Sequence, residues 1–172
     1  MIKHFGYIVL IAIMLGACSS SRRQQQSTAS ASTEHVIEQK YVTDTALYYS
    51  RGACFGMCPI FELTVMRDGK AIYQGKNHVD RIGRYEAQIS YNDVQEVVAK
   101  AKEIGYFDMQ SAYDNDKVQD LPNINTGINH NGVLHRVRNR YKGPASLQKL
   151  YSTLDTMIAK QNWKPVGKLQ ED

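Results

Sequence analysis

The chain has 172 residues, of which 42% are hydrophobic and 22% charged, with a formal net charge of +4 and three cysteines. That length suits one domain with a moderate core and not a chain of several. An export signature at the start of the chain argues against nucleic acid as a partner, despite the basic excess.

Met1-Ile2-Lys3-His4 carries a positive charge, and Phe5 to Leu15 follows as an uncharged apolar run closed by Gly16-Ala17. As a helix this run would rise roughly 16 Å, about half of a ~30 Å hydrocarbon core, so it reads as the h-region of a signal peptide and not as a membrane span. Cys18, directly after Leu15-Gly16-Ala17, resembles the bacterial lipobox, in which the thiol is acylated and becomes the mature N-terminus. Ser19 follows where an Asp would retain a Gram-negative lipoprotein in the inner membrane, and no acidic run comes after it. The expectation is an outer-membrane lipoprotein facing the periplasm. Gly-Ala-Cys recurs at 52–54, but behind Tyr48-Tyr49-Ser50-Arg51, which is no h-region. Cys54 is therefore not read as a lipidation site.

Removal of residues 1–17, which hold one Lys and no acid, leaves 155 residues at net +3. Residues 19–34 contain no aliphatic side chain larger than Ala and are rich in Ser and Gln. They cannot bury enough apolar surface to offset ordering entropy, and 18–40 reads as a lipidated Cys with a flexible tether. The globular domain is expected over 41–161, and 162–172 as a fraying tail.

Residues 41–51 are β-rich, and two alternating runs flank Asp68-Gly69, a hairpin signal whose turn type stays open. A strand over 83–90 leads to a helix with Ser90 as N-cap and Asp93 at N3. Val94, Val97, Val98, Ala101 and Ile104 follow at helical spacing before Gly105 stops it. After a polar loop from Asp108 to Leu121, two alternating runs meet at Asn131-Gly132, a two-residue type I′ signal. Gly143-Pro144 opens a last helix with Pro144 at its first position, and Leu147, Leu150, Tyr151, Leu154 and Ile158 form its buried stripe. Hairpins followed by amphipathic helices predict a two-layer α+β fold, an antiparallel sheet with both helices on one face.

The run from Arg51 to Gly75, with Cys54-Phe55-Gly56-Met57-Cys58-Pro59 as its most specific element, is followed by Ile104–Met109, Ala112–Pro122, the Asn-Gly hairpin and Tyr141–Leu150. Over about Leu47 to Ile158 this pattern resembles the domain of unknown function 6438 family of bacterial lipoproteins. Gln119 stands where the resemblance would place Thr. The resemblance implies a compact α+β domain behind a lipid anchor and transfers no catalytic residue, cofactor or metal ligand.

An extended strand would hold Cys54 and Cys58 about 13 Å apart, whereas a disulfide needs Cα atoms roughly 4.4–6.8 Å apart, so the pairing demands a turn. Gly52 and Gly56 permit one, and Pro59 suits the start of the outgoing strand. A structural disulfide is the preferred reading. The alternatives are a thiol-disulfide oxidoreductase, which lacks the Cys-X-X-Cys spacing at a helix N-terminus, and a zinc site, for which the flanking histidines, His35 and His78, are remote in sequence.

If Asn131-Gly132 is the turn, His130 and His135 share a face with Thr126 and Val137, as edge-of-core histidines, with a pair of metal ligands as the alternative reading. Leu121 to Leu154 holds no Asp or Glu, while Arg136, Arg138 and Arg140 alternate onto the opposite face. That basic stripe is a solvated outer face or a site for an anionic envelope component. No carboxylate pair, nucleophile elbow or phosphate-binding glycine loop is evident, so the expected role is a non-catalytic binding or structural module, held to the membrane by lipid on Cys18 and free to meet an envelope protein.

Overall fold

The computed structural model describes residues 44–118 and 120–167. Its strands are β1 (Thr45–Arg51), β2 (Ile60–Met66), β3 (Lys70–Asn77), β4 (Gly83–Gln88), β5 (Ala112–Tyr113), β6 (Ile124–His130), β7 (Val133–Asn139) and β8 (Lys164–Pro165). Helix α1 (Tyr91–Glu103) follows β4, a 3-10 turn (Tyr106–Asp108) precedes β5, and α2 (Leu147–Ala159) lies between β7 and β8. The sheet order is β5-β7-β6-β1-β2-β3-β4-β8, antiparallel throughout except for β5 beside β7. This is the expected α+β arrangement.

The turns follow their residues. Asn131 (φ 53°) and Gly132 (φ 84°) both occupy the left-handed region, as a type I′ turn requires between His130 and Val133. Between β2 and β3 three residues intervene, and Gly69 takes φ 85° while its N–H donates to the Met66 carbonyl at 3.0 Å. That decides the Asp68-Gly69 hairpin in favour of the longer loop. Gly75 is needed for contact and not for φ, because a Cβ there would lie 1.7 Å from the Arg81 carbonyl, where the 78–82 connection folds back on β3.

Alternation along the strands sorts two faces. Leu47 and Tyr49 of β1, Phe61, Leu63 and Val65 of β2, Ala71 and Tyr73 of β3, and Ile128 and Val137 of the β6–β7 hairpin are buried on one face. Val97, Val98 and Ala101 of α1 and the Leu147, Leu150, Tyr151, Leu154, Met157 and Ile158 stripe of α2 close the core over them. Ser90 caps α1 by accepting from the Asp93 N–H at 3.1 Å, and Gly105 (φ 69°) ends it. Pro144 does not sit in α2 proper. Residues 144–146 form a tighter turn, with the Leu147 N–H donating to the Pro144 carbonyl at 3.0 Å, and the helix starts at Leu147.

The beginning of the tail is docked where fraying was expected. Trp163 is 8% exposed, its indole N–H donates to the Ile158 carbonyl at 2.8 Å, and Lys164–Pro165 pairs with Tyr85 and Glu86 of β4. The Trp163 ring packs against Tyr73 at 5.5 Å between centroids, and β8, directly after it, ties the segment to β4. Trp163→Ala should therefore lower the unfolding free energy by about 3–5 kcal/mol. Urea denaturation measures it; a loss within ~0.5 kcal/mol, typical of surface sites, would mean that the ring is not part of the core.

Candidate functional site

The ladder registers place the connections 52–59, 78–82, 114–123 and 140–146 together at one end of the sheet, and the turns 67–69 and 131–132 at the other. Asp44 is at the turn end, where its carbonyl accepts from the Arg67 N–H at 2.8 Å. The loop end holds the features with functional potential.

Cys54 and Cys58 are joined by a disulfide with Cα atoms 5.8 Å apart. The turn that permits it is made at Gly56 (φ 143°), whose N–H donates to the Cys54 carbonyl at 3.0 Å. Gly52 has a different part from the one expected: its N–H donates to the Asn123 carbonyl at 2.8 Å and continues the β1–β6 ladder by one residue. The closed loop drives its two largest side chains outward, Phe55 at 91% and Met57 at 84% exposure. From Gly52 to Pro59 there is no charged residue. Ile82 and Leu121, in neighbouring connections, are also exposed.

On the helix-covered face at this end lies a polar cluster. Tyr49 is fully buried, and its hydroxyl donates to Asp155 Oδ1 at 3.1 Å while accepting from Arg51 Nε at 2.6 Å. Arg51 completes the triangle by donating from Nη2 to Asp155 Oδ2 at 2.6 Å. Burial pushes the Tyr49 hydroxyl far above its ordinary range, reinforced by the Asp155 charge, so it stays a neutral donor. Burial also raises the Asp155 carboxyl, more than Arg51 and the Tyr49 hydrogen bond lower it. Beside this triangle, Asn139 donates to the Tyr151 hydroxyl at 3.1 Å and accepts from the Gly143 N–H at 3.2 Å. The sequence offers no signal for the triangle, since Arg51 and Asp155 are 104 residues apart and meet only because α2 crosses β1.

The arginines read as one stripe have separate surroundings. Arg136 lies over the Tyr48 ring, 5.1 Å from its centroid, on the face without helices. Arg138 pairs with Asp114 at 3.0 Å, and Arg140, one residue past β7, bonds the same carboxylate. Asp114 belongs to the acidic segment that precedes the stripe in sequence, and β5 folds that segment against it. Arg140, with Arg138, holds the Asp114 carboxyl below its ordinary range despite the opposing effect of desolvation.

His130 and His135 pair as expected with Val133 and Ile128, and both rings contact Phe107, at 4.8 and 5.1 Å between centroids. Among the described residues, no group of three or more His, Cys, Asp or Glu side chains is arranged to hold a metal ion. His78 lies in the 78–82 connection with φ 50°. Cys18 and His35 fall outside the described residues.

The two shifted carboxylates make opposite contributions to stability. Asp155, raised by burial, binds its proton more tightly in the folded domain; its contribution is full below the unfolded carboxylate range and is lost as pH rises through its folded value. Asp114, lowered, contributes above that range and loses the contribution as pH falls through its folded value. Carboxyl NMR titration should place Asp155 above and Asp114 below the usual ~3.9. The stability of the parent relative to Asp155→Asn should fall as pH rises through the Asp155 transition. A pH-independent difference would remove Asp155 from the Tyr49–Arg51–Asp155 triangle.

A search of curated proteins finds no match for the chain. The model of a family described as a domain of unknown function, DUF6438, matches residues 45–158, from the first residue of β1 to the last turn of α2. The match covers both hairpins, the disulfide loop and the Tyr49–Arg51–Asp155 triangle, and on that extent the chain belongs to the DUF6438 family.

Proposed function

We propose that the chain is a lipid-anchored protein of the bacterial envelope, attached through Cys18 to the outer membrane on its periplasmic side, whose domain is a binding or structural module. The anchor rests on the charged start, the apolar run Phe5 to Leu15 and Leu15-Gly16-Ala17-Cys18. The observation that carries the binding role is the uncharged, disulfide-closed loop that holds Phe55 and Met57 in solvent. Large apolar side chains held outward in a neighbouring pair mark an interaction site more often than isolated ones do.

The competing reading is a thiol-disulfide oxidoreductase working through Cys54 and Cys58. Thiol activation there would need a helix N-terminus or a cationic neighbour, and both cysteines lie between two strands, β1 and β2. The alternatives separate by potential: a structural staple should lie below about −300 mV, while a catalytic oxidant would lie near −120 to −180 mV. Intact mass after membrane extraction should show acyl groups on Cys18 as the first residue. Cys18→Ser should release the protein from the membrane fraction. An unmodified chain with another N-terminus, from cells with a working lipoprotein pathway, would refute the anchor.

An anionic envelope component is the partner suited to the basic stripe. Because Asp114 occupies Arg138 and Arg140, the available charge on that strand is less than the sequence suggests. If the stripe binds anions, replacing Arg136, Arg138 and Arg140 with Gln should weaken retention on anionic vesicles, and Asp114→Asn should strengthen it. Both differences should shrink when the Debye length drops to about 3 Å. Unchanged, salt-insensitive retention of both variants would leave the arginines as a solvated face.

A further inference from the structure

The disulfide loop has a feature that a generic binding role does not explain: it is small and apolar, and among the described residues of the neighbouring connections Ile82 and Leu121 are the large apolar side chains exposed beside it. Phe55 and Met57 together offer on the order of 350 Å², taking about 150–250 Å² for a large side chain. A stable protein–protein contact needs roughly 800 Å² per partner. The connections at the loop end carry Arg81, Lys117, Arg140 and Lys142 against Asp80, Asp114, Asp116 and Asp120, so that end has no net charge to supply the difference. Two fully projecting apolar side chains, with the partly exposed Ile82 and Leu121 beside them on a neutral surface, are a small patch for a freely diffusing encounter. They are enough for a domain already held beside its target, where tethering converts a weak second contact into an intramolecular one.

We infer that Phe55 and Met57 are a second, interfacial anchor: the closed loop inserts into the headgroup and acyl boundary of the bilayer to which Cys18 is attached. This rests on the lipid anchor proposed above. The geometry permits it. Asp44 is at the turn end, opposite the loop, and strands of seven residues are about 23 Å long. The 25 residues from Ser19 to Thr43 span at most roughly 85 Å, enough for the loop end to turn back onto the membrane. Insertion of a neutral apolar wedge requires no anionic lipid. That separates it from the arginine stripe, whose binding would depend on charge. Closure by the disulfide holds both side chains outward beforehand, so little ordering entropy is lost on insertion.

The test uses the lipidated full chain carrying Phe55→Trp in phosphatidylcholine vesicles, with the native, buried Trp163 as an internal reference. The introduced indole should be quenched about twofold by brominated acyl chains at the 5–10 Å depth of an interfacial side chain. The quenching should be the same at Debye lengths of about 30 Å and about 3 Å. Adding Met57→Asp to Phe55→Trp should abolish it without changing the lipid mass on Cys18 or flotation with the vesicles. An indole that stays open to aqueous iodide while the protein floats would overturn the insertion and leave the lipid anchor standing. So would an indole shielded only after envelope protein is added, which would assign the loop to a protein partner. A chain that neither carries lipid nor floats would overturn the anchor itself.

Discussion

The buried hydroxyl of Tyr49 is the constraint around which the inner layer is arranged. Its ring is fully enclosed, edge-on to Phe61 at 5.2 Å and stacked with Tyr151 at 6.1 Å, so the phenol cannot reach solvent and must be satisfied within the protein. Asp155 and Arg51 do this, and each is thereby fixed. Asp155 joins α2 to the end of β1, and Arg51 takes the last position of β1 before the disulfide loop. The aromatic contacts continue from Phe61 to Tyr73 and from Tyr73 to Trp163, crossing β1, β2 and β3 and ending on the segment after α2. Burial pushes the Tyr73 hydroxyl up to about 12, so it also stays neutral across the physiological range. One row of rings thus ties the middle of the sheet to both ends of α2, and a change at Tyr49 would be felt at the loop and the tail.

A second buried hydroxyl performs the same task at the other side of the core. Tyr106 donates to Thr126 Oγ1 at 2.9 Å and lies 3.2 Å from the His135 carbonyl, so the short turn after α1 is fastened to the β6–β7 hairpin. Phe107 then covers His130 and His135. The two histidines are placed by packing against one ring. The hairpin register puts them on one face, and Phe107 of the turn after α1 packs against both. With a tyrosine hydroxyl on each side of the core, both helices are positioned by polar bonds with strict geometry as well as by apolar area, which is less selective.

Local chemistry was legible in the sequence wherever a residue type dictates its own backbone. Asn131-Gly132 has almost no alternative to a type I′ turn, Ser90 with Asp93 marks a helix start, and the α2 stripe follows from period alone. Contacts between distant segments were not legible. β5 and β8 are two residues each, too short to show any alternation, and exist because β7 and β4 offer edges for them. Asp114 sits in an acidic stretch that looks segregated from the arginines, yet the parallel β5–β7 pairing brings it between Arg138 and Arg140. Gly75 carries no turn signal, because what it accommodates is the Arg81 carbonyl.

The disulfide contributes to shape more than to stability. Closing so small a loop is worth only about 2 kcal/mol on the chain-entropy estimate. A single buried ring such as that of Trp163 is worth as much or more. The loop packs little against the core, since its largest side chains face solvent and its connection to the rest of the domain runs through Gly52 bonded to Asn123 and Phe55 facing Asp120. A staple in that position does little for the fold beneath it. What it removes is the freedom of Phe55 and Met57 to turn inward and cover one another, which an open eight-residue apolar segment would otherwise do in water. The covalent bond therefore maintains an exposed apolar pair against the solvent's preference, and such pre-organisation lowers the ordering entropy that any contact made by the pair would cost.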